Sequence, residues 1–91
     1  MKVKAHIIVT GRVQGVYFRG NTQKEAQKQG VNGWIQNLDD GRVEAVFEGE
    51  KENVDTLINI VREGPSRAEV TDLELEWQDF KGEFTDFQIR Y

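Results

Sequence analysis

The chain has 91 residues, 37% of them hydrophobic and 31% charged, with no cysteine, one histidine and a net charge of −4 at pH 7. One folded domain over residues 1–91 is what that length allows, and the composition excludes disulfides, thiolate chemistry, a zinc site of the His/Cys type and an apolar run long enough to span a bilayer. The acidic balance argues against a general nucleic-acid binder, which gathers Lys and Arg on one face, and with no charged-then-apolar leader at the N-terminus the expected location is the cytoplasm.

Over residues 3–10, Val3, Ala5, Ile7 and Val9 alternate with Lys4, His6 and Thr10, and this period of two predicts a strand with one buried face. Ile8 breaks the alternation, which predicts a central strand with some cover on its second face. The run ends in Gly11-Arg12-Val13-Gln14-Gly15-Val16-Tyr17-Phe18-Arg19 and feeds a polar, helix-prone stretch over residues 20–29. A strand, a tight loop and a helix N-terminus gather backbone N–H groups around one point, and that arrangement favours an anion. Arg19 stands where loop meets helix, and its planar fork can hold two oxygens of a phosphate. Taken alone, the two glycines could simply permit turns and Arg19 could be a surface arginine. The helix carries only a weak stripe, Phe18, Thr22 and Ala26, and Gly30 is a plausible stop.

Residues 31–37 predict a second strand, Asp39-Asp40-Gly41 a turn, and residues 42–48 a third strand with Val43, Ala45 and Phe47 on one face, so the two strands form a hairpin. Read singly, Asn37 is a strand-end residue, Asp39 and Asp40 belong to a turn rather than a metal site, and Glu44 and Glu48 form a solvated face. Over residues 51–63, Val54, Leu57, Ile58 and Val61 fall at helical spacing, with Glu50 and Glu52 near the positive end and Gly64-Pro65 as the stop. Leu73, Leu75 and Trp77 alternate as a fourth strand; after a Lys81-Gly82 turn, Phe87, Ile89 and Tyr91 alternate as a short last one. His6 reads as a surface or satisfied histidine, and Trp34, Trp77, Tyr17 and Phe18 read as core or site-wall residues. The order βαββαβ plus a terminal strand predicts an α+β, ferredoxin-like sandwich: an antiparallel sheet with two helices on one face and a short extra C-terminal strand. In that topology the first and second strands run parallel with the third between them, which brings Arg19 and Asn37 to one edge of the sheet.

The loop from Gly11 to Arg19, the stretch Gly33-Trp34-Ile35-Gln36-Asn37 followed by Gly41, Val43 and Gly49, and the ending Phe87-Gln88-Ile89-Arg90-Tyr91 together resemble the acylphosphatase family over essentially the whole chain. Ile35 is larger than the family's usual Val, Ala or Cys, a change in packing. The resemblance implies an acylphosphate phosphohydrolase working without a metal or other cofactor. It implies Arg19 as the phosphate-binding catalytic residue, Asn37 as the residue that positions the attacking water, and the N–H groups of Gln14, Gly15, Val16, Tyr17, Phe18 and Arg19 as the phosphate cradle. The implied partners are an acyl phosphate and inorganic phosphate, with no nucleic acid and no membrane, and the expected state is a monomer.

The chemistry of these residues agrees. Phosphoryl transfer needs positioning and charge stabilisation more than covalent help. An amide oxygen can accept a hydrogen bond from water and direct a lone pair at phosphorus. Neither motif holds a strong general base, but an acylate leaves readily, and the phosphate itself could take the water's proton. The competing reading is a phosphate- or carbamoyl-phosphate-binding module without turnover. A ferredoxin-like RNA-binding domain would need exposed aromatics in a basic surround, and the alternation puts no such pair on the first and third strands.

Overall fold

The alternation of the first strand is realised in three dimensions. In a computed structural model describing residues 1–91, β1 (Lys2–Arg12) buries Ala5, Ile7 and Val9 completely and turns Lys4, His6 and Ile8 to the opposite face. The chain continues through α1 (Phe18–Gln29), β2 (Asn32–Asn37), β3 (Val43–Glu50), α2 (Lys51–Glu63), β4 (Glu69–Gln78) and β5 (Phe87–Arg90). The five strands form one sheet in the order β4-β1-β3-β2-β5. β3 pairs antiparallel with both β1 and β2, so those two run parallel on either side of it, and β4 pairs antiparallel with β1.

The last strand departs from the expected antiparallel sheet. β5 pairs parallel with β2, from Gly33 opposite Phe87 to Gln36 opposite Arg90, so the sheet is mixed. The reason is topological. β4, antiparallel to β1, ends beside the starts of β1 and β2, and residues 79–86 then cross that end of the sheet to the far edge. A chain arriving where β2 begins can add only alongside it in the same direction. The crossing is held by Glu48 of β3, whose carboxylate accepts the backbone N–H groups of Lys81, Gly82 and Glu83 at 3.0, 3.2 and 3.1 Å.

Glu48 and Glu44 are therefore not the solvated pair expected from their alternation. Glu48 is 2% exposed. Glu44 is half-buried, with the His6 imidazole nitrogen and the Gln36 amide each 2.7 Å from its carboxylate. His6 is the satisfied histidine of that network. The two tryptophans also lie outside the main core: Trp34 sits on the open face beneath the Arg90 guanidinium at 4.2 Å, and Trp77 is partly exposed at the β4 edge with the Lys51 ammonium 5.2 Å from its ring centre.

Both helices cover the other face. α2 buries Val54, Leu57, Ile58 and Val61, as its spacing requires. α1 buries Phe18, Thr22 and Ala26, the stripe that looked weak in sequence, and Thr22 enters the core because its hydroxyl donates to the Phe18 carbonyl at 2.9 Å. These side chains meet Ile7, Val9, Ile35, Ala45, Phe47 and Phe87 in one cluster, each large apolar member worth about 1.5–3 kcal/mol of burial. No helix is long and apolar enough to cross a membrane.

Candidate active site

β1 runs past residue 10 because its pairing with β4 shifts between Thr10 and Gly11. At Gly11 the backbone has φ of +132°, and a Cβ there would lie 2.0 Å from the Glu69 carbonyl oxygen, so only glycine lets the two strands close at this irregularity. The loop that follows is pinned by the buried side chains of Val13 and Val16. It is stitched to the turn after β2 by Gln14, whose amide nitrogen donates to the carbonyls of Leu38 and Arg42 at 2.8 and 3.0 Å. That turn is itself closed by Leu38 N–H to the Arg42 carbonyl and by the Asp40 carboxylate, which accepts from the Arg42 backbone N–H and guanidinium. The Arg42 N–H, foremost, holds Asp40 below its ordinary pKa. Gln14 thus fixes the loop and the end of β2 relative to each other.

The loop passes into α1 through Tyr17, the N-cap, which adopts the left-handed conformation (φ 62°, ψ 27°) and makes no side-chain cap bond. Residues 14–17 donate no backbone hydrogen bond to the rest of the protein. The N–H groups of the first turn of α1 have no intrahelical partner, and no acidic residue stands in that turn. The positive end of the helix and a run of unpaired N–H groups therefore share one loop.

Arg19 is half-buried at the start of α1. Its Nη1 donates to the Arg90 carbonyl at 3.2 Å, and its guanidinium lies 4.9 Å from the Tyr91 ring centre. Tyr91 is 98% exposed, so this stacking is worth only about 0.5–1 kcal/mol. Asn37, the last residue of β2, lies opposite Val43 of β3. Its Oδ1 is the one buried side-chain nitrogen or oxygen in the protein without a hydrogen-bond partner.

Arg19 and Asn37 line a single concavity of about 210 Å³ with Val13, Gln14, Gly15 and Tyr17, closed on the β5 side by Ile89 and Tyr91. Phe18 lies at its base and is buried among the core residues, whereas Val16 packs into the core and does not line it. Sequence reasoning missed three contributors: the Gln14 side chain, which had been given only a backbone role; the β5 end, whose position depends on the parallel pairing; and Gly20, which also lines the wall. The Phe87 to Tyr91 ending was the one signal available for the second of these. No group of three or more His, Asp or Glu side chains gathers closely enough to hold a metal ion. On the open face of the sheet neither β1 nor β3 presents a Phe, Tyr or Trp, Glu44, Glu74 and Glu76 lie on β3 and β4, and the one tryptophan there, Trp34 on β2, is covered by Arg90.

A family model described as acylphosphatase matches residues 5–89. The chain is 53% identical over 88 residues to an acylphosphatase of Haloarcula marismortui, covering 97% of this chain and 96% of that protein. It is 48% identical over 91 residues to an acylphosphatase of Geobacter sulfurreducens, covering 100% of both. The crystal structure of acylphosphatase from Bacillus subtilis aligns with a TM-score of 0.94 at 38% identity, over 98% of this chain and 99% of that one.

Proposed function

The chain belongs to the acylphosphatase family, and we propose that its enzymatic hydrolysis of acyl phosphates takes place in the concavity between the β1–α1 loop and the end of β2. The reaction adds water to phosphorus and breaks its bond to the carboxyl oxygen, giving a carboxylate and inorganic phosphate. Arg19 and the N–H groups of residues 14–19 hold the phosphate oxygens and stabilise the charge that spreads over them in the transition state. One guanidinium donor is engaged with the Arg90 carbonyl, and the rest remain for phosphate. The acylate leaves without an acid, and the phosphate takes the water's proton.

The observation that carries this reading is the unpaired, buried Oδ1 of Asn37 in the same concavity as Arg19. Leaving such an atom unsatisfied costs about 1–3 kcal/mol, so a water accepted there fills a place the fold otherwise leaves destabilising. The concavity is smaller than the roughly 300–1,000 Å³ of pockets that enclose drug-sized ligands. It suits a phosphate and one water, with the acyl group outside. The same reading takes residues 1–91 as one domain acting as a cytoplasmic monomer on a small molecule, without nucleic acid or membrane, in keeping with the net charge of −4.

The proposed steps use no metal. Purified protein should hydrolyse benzoyl phosphate at the same rate with and without excess chelator, and inorganic phosphate should inhibit competitively. Activity that depended on added magnesium or zinc, or phosphate binding without turnover, would contradict the proposal.

A further inference from the structure

We propose that Tyr17 is the residue that recognises the acyl group, presenting its ring to substrates whose acyl part is aromatic; the inference rests on the phosphate and water positions assigned to Arg19 and Asn37 above. In-line displacement places the leaving oxygen opposite the attacking water. The Asn37 Oδ1 that would hold that water is buried, so the water occupies the inner end of the concavity and the acyl group must point outward. Two aromatic side chains stand at the outer wall, Tyr17 and Tyr91, 71% and 98% exposed. Tyr91 already has its ring over the Arg19 guanidinium. Tyr17 is the one whose placement is fixed in advance. It is the only non-glycine residue with positive φ, and such strained positions cluster at ligand-binding sites. Its ring also rests on Gly20, where a Cβ would fall 2.2 Å from the ring's Cε1. A bare helix position beneath an exposed ring makes a seat that holds the aromatic face at the mouth.

The test compares KM for benzoyl phosphate and acetyl phosphate in the wild type, Tyr17→Asn, Tyr17→Phe and Gly20→Ala. Asparagine tolerates the left-handed conformation, so the first variant removes the ring without adding strain. Any disturbance of the phosphate cradle acts on both substrates and cancels in the ratio. The wild type should bind benzoyl phosphate roughly two- to tenfold more tightly than acetyl phosphate, the range expected for one aromatic contact. Tyr17→Asn should bring the ratio close to unity through KM rather than kcat, Gly20→Ala should lower it by displacing the ring, and Tyr17→Phe should retain it. A wild-type ratio preserved in Tyr17→Asn, with both substrates still hydrolysed, overturns the role of Tyr17 and leaves Arg19 and Asn37 untouched. Hydrolysis of neither substrate by the wild type overturns both readings.

Discussion

Three polar side chains of the sheet show how differently single residues are used. Glu48 is buried and accepts three backbone N–H groups, Glu44 is half-buried and bonded to His6 and Gln36, and Asn37 keeps a buried oxygen with no partner. Folded proteins pair nearly all such atoms, so the exception points to a ligand where the two glutamates point to structure. The Glu44 carboxyl is held below its ordinary pKa of 4.5, chiefly by the His6 bond, with burial opposing and the Gln36 amide adding to it. The unfolded chain therefore takes up this proton at a higher pH than the folded one. The stabilisation is complete above the unfolded value and is lost as pH falls through the folded value. Urea unfolding near pH 6 and near pH 3 should show the wild type losing more stability on acidification than Glu44→Gln; equal losses would remove Glu44 from the account. That Arg19 and Asn37 would meet at one end of the sheet was legible in sequence, because each sits in a dense motif at the end of one of two parallel strands. Glu44 and Glu48 were not, because a polar residue at every second position reads the same whether its face meets solvent or a crossing loop.

Among the elements, α2 was legible to its ends, since four apolar residues at helical spacing lie between an acidic start and a Gly-Pro stop. α1 was harder: its buried face is one aromatic, one threonine and one alanine, too little contrast to mark a helix by periodicity. β5 was legible as a strand but not in its direction, because period two carries no information about the partner. Direction was decided by residues 79–86, a crossing with no apolar pattern that Glu48 anchors by three bonds. Glu48→Ala should therefore destabilise the protein by about 2–3 kcal/mol, less than three separate charged bonds would suggest because the freed N–H groups belong to exposed residues and can bind water. The urea midpoint should fall at constant slope. A change within about 0.5 kcal/mol, typical of an ordinary surface position, would mean that the crossing holds without Glu48.

At the scale of the molecule, the site exists because the fold brings three distant segments to one end of the sheet: the β1–α1 loop, the end of β2, and the end of β5. The first two were predictable from the parallel relation of β1 and β2 across β3. The third followed only once β5 was seen to run beside β2. The central claim is a division of labour at that end, with Arg19 on phosphate and Asn37 on water, and neither side chain belongs to the packed core. The most direct measurement is steady-state hydrolysis of benzoyl phosphate together with inorganic phosphate titration on Asn37→Ala and Arg19→Ala, with circular dichroism to establish folding. Asn37→Ala should lose roughly a hundredfold to a thousandfold in kcat, the equivalent of about 2.7–4 kcal/mol, while binding phosphate almost as the wild type does; Arg19→Ala should lose both. Near-normal turnover by folded Asn37→Ala, or loss of its phosphate binding as complete as that of Arg19→Ala, would contradict the account.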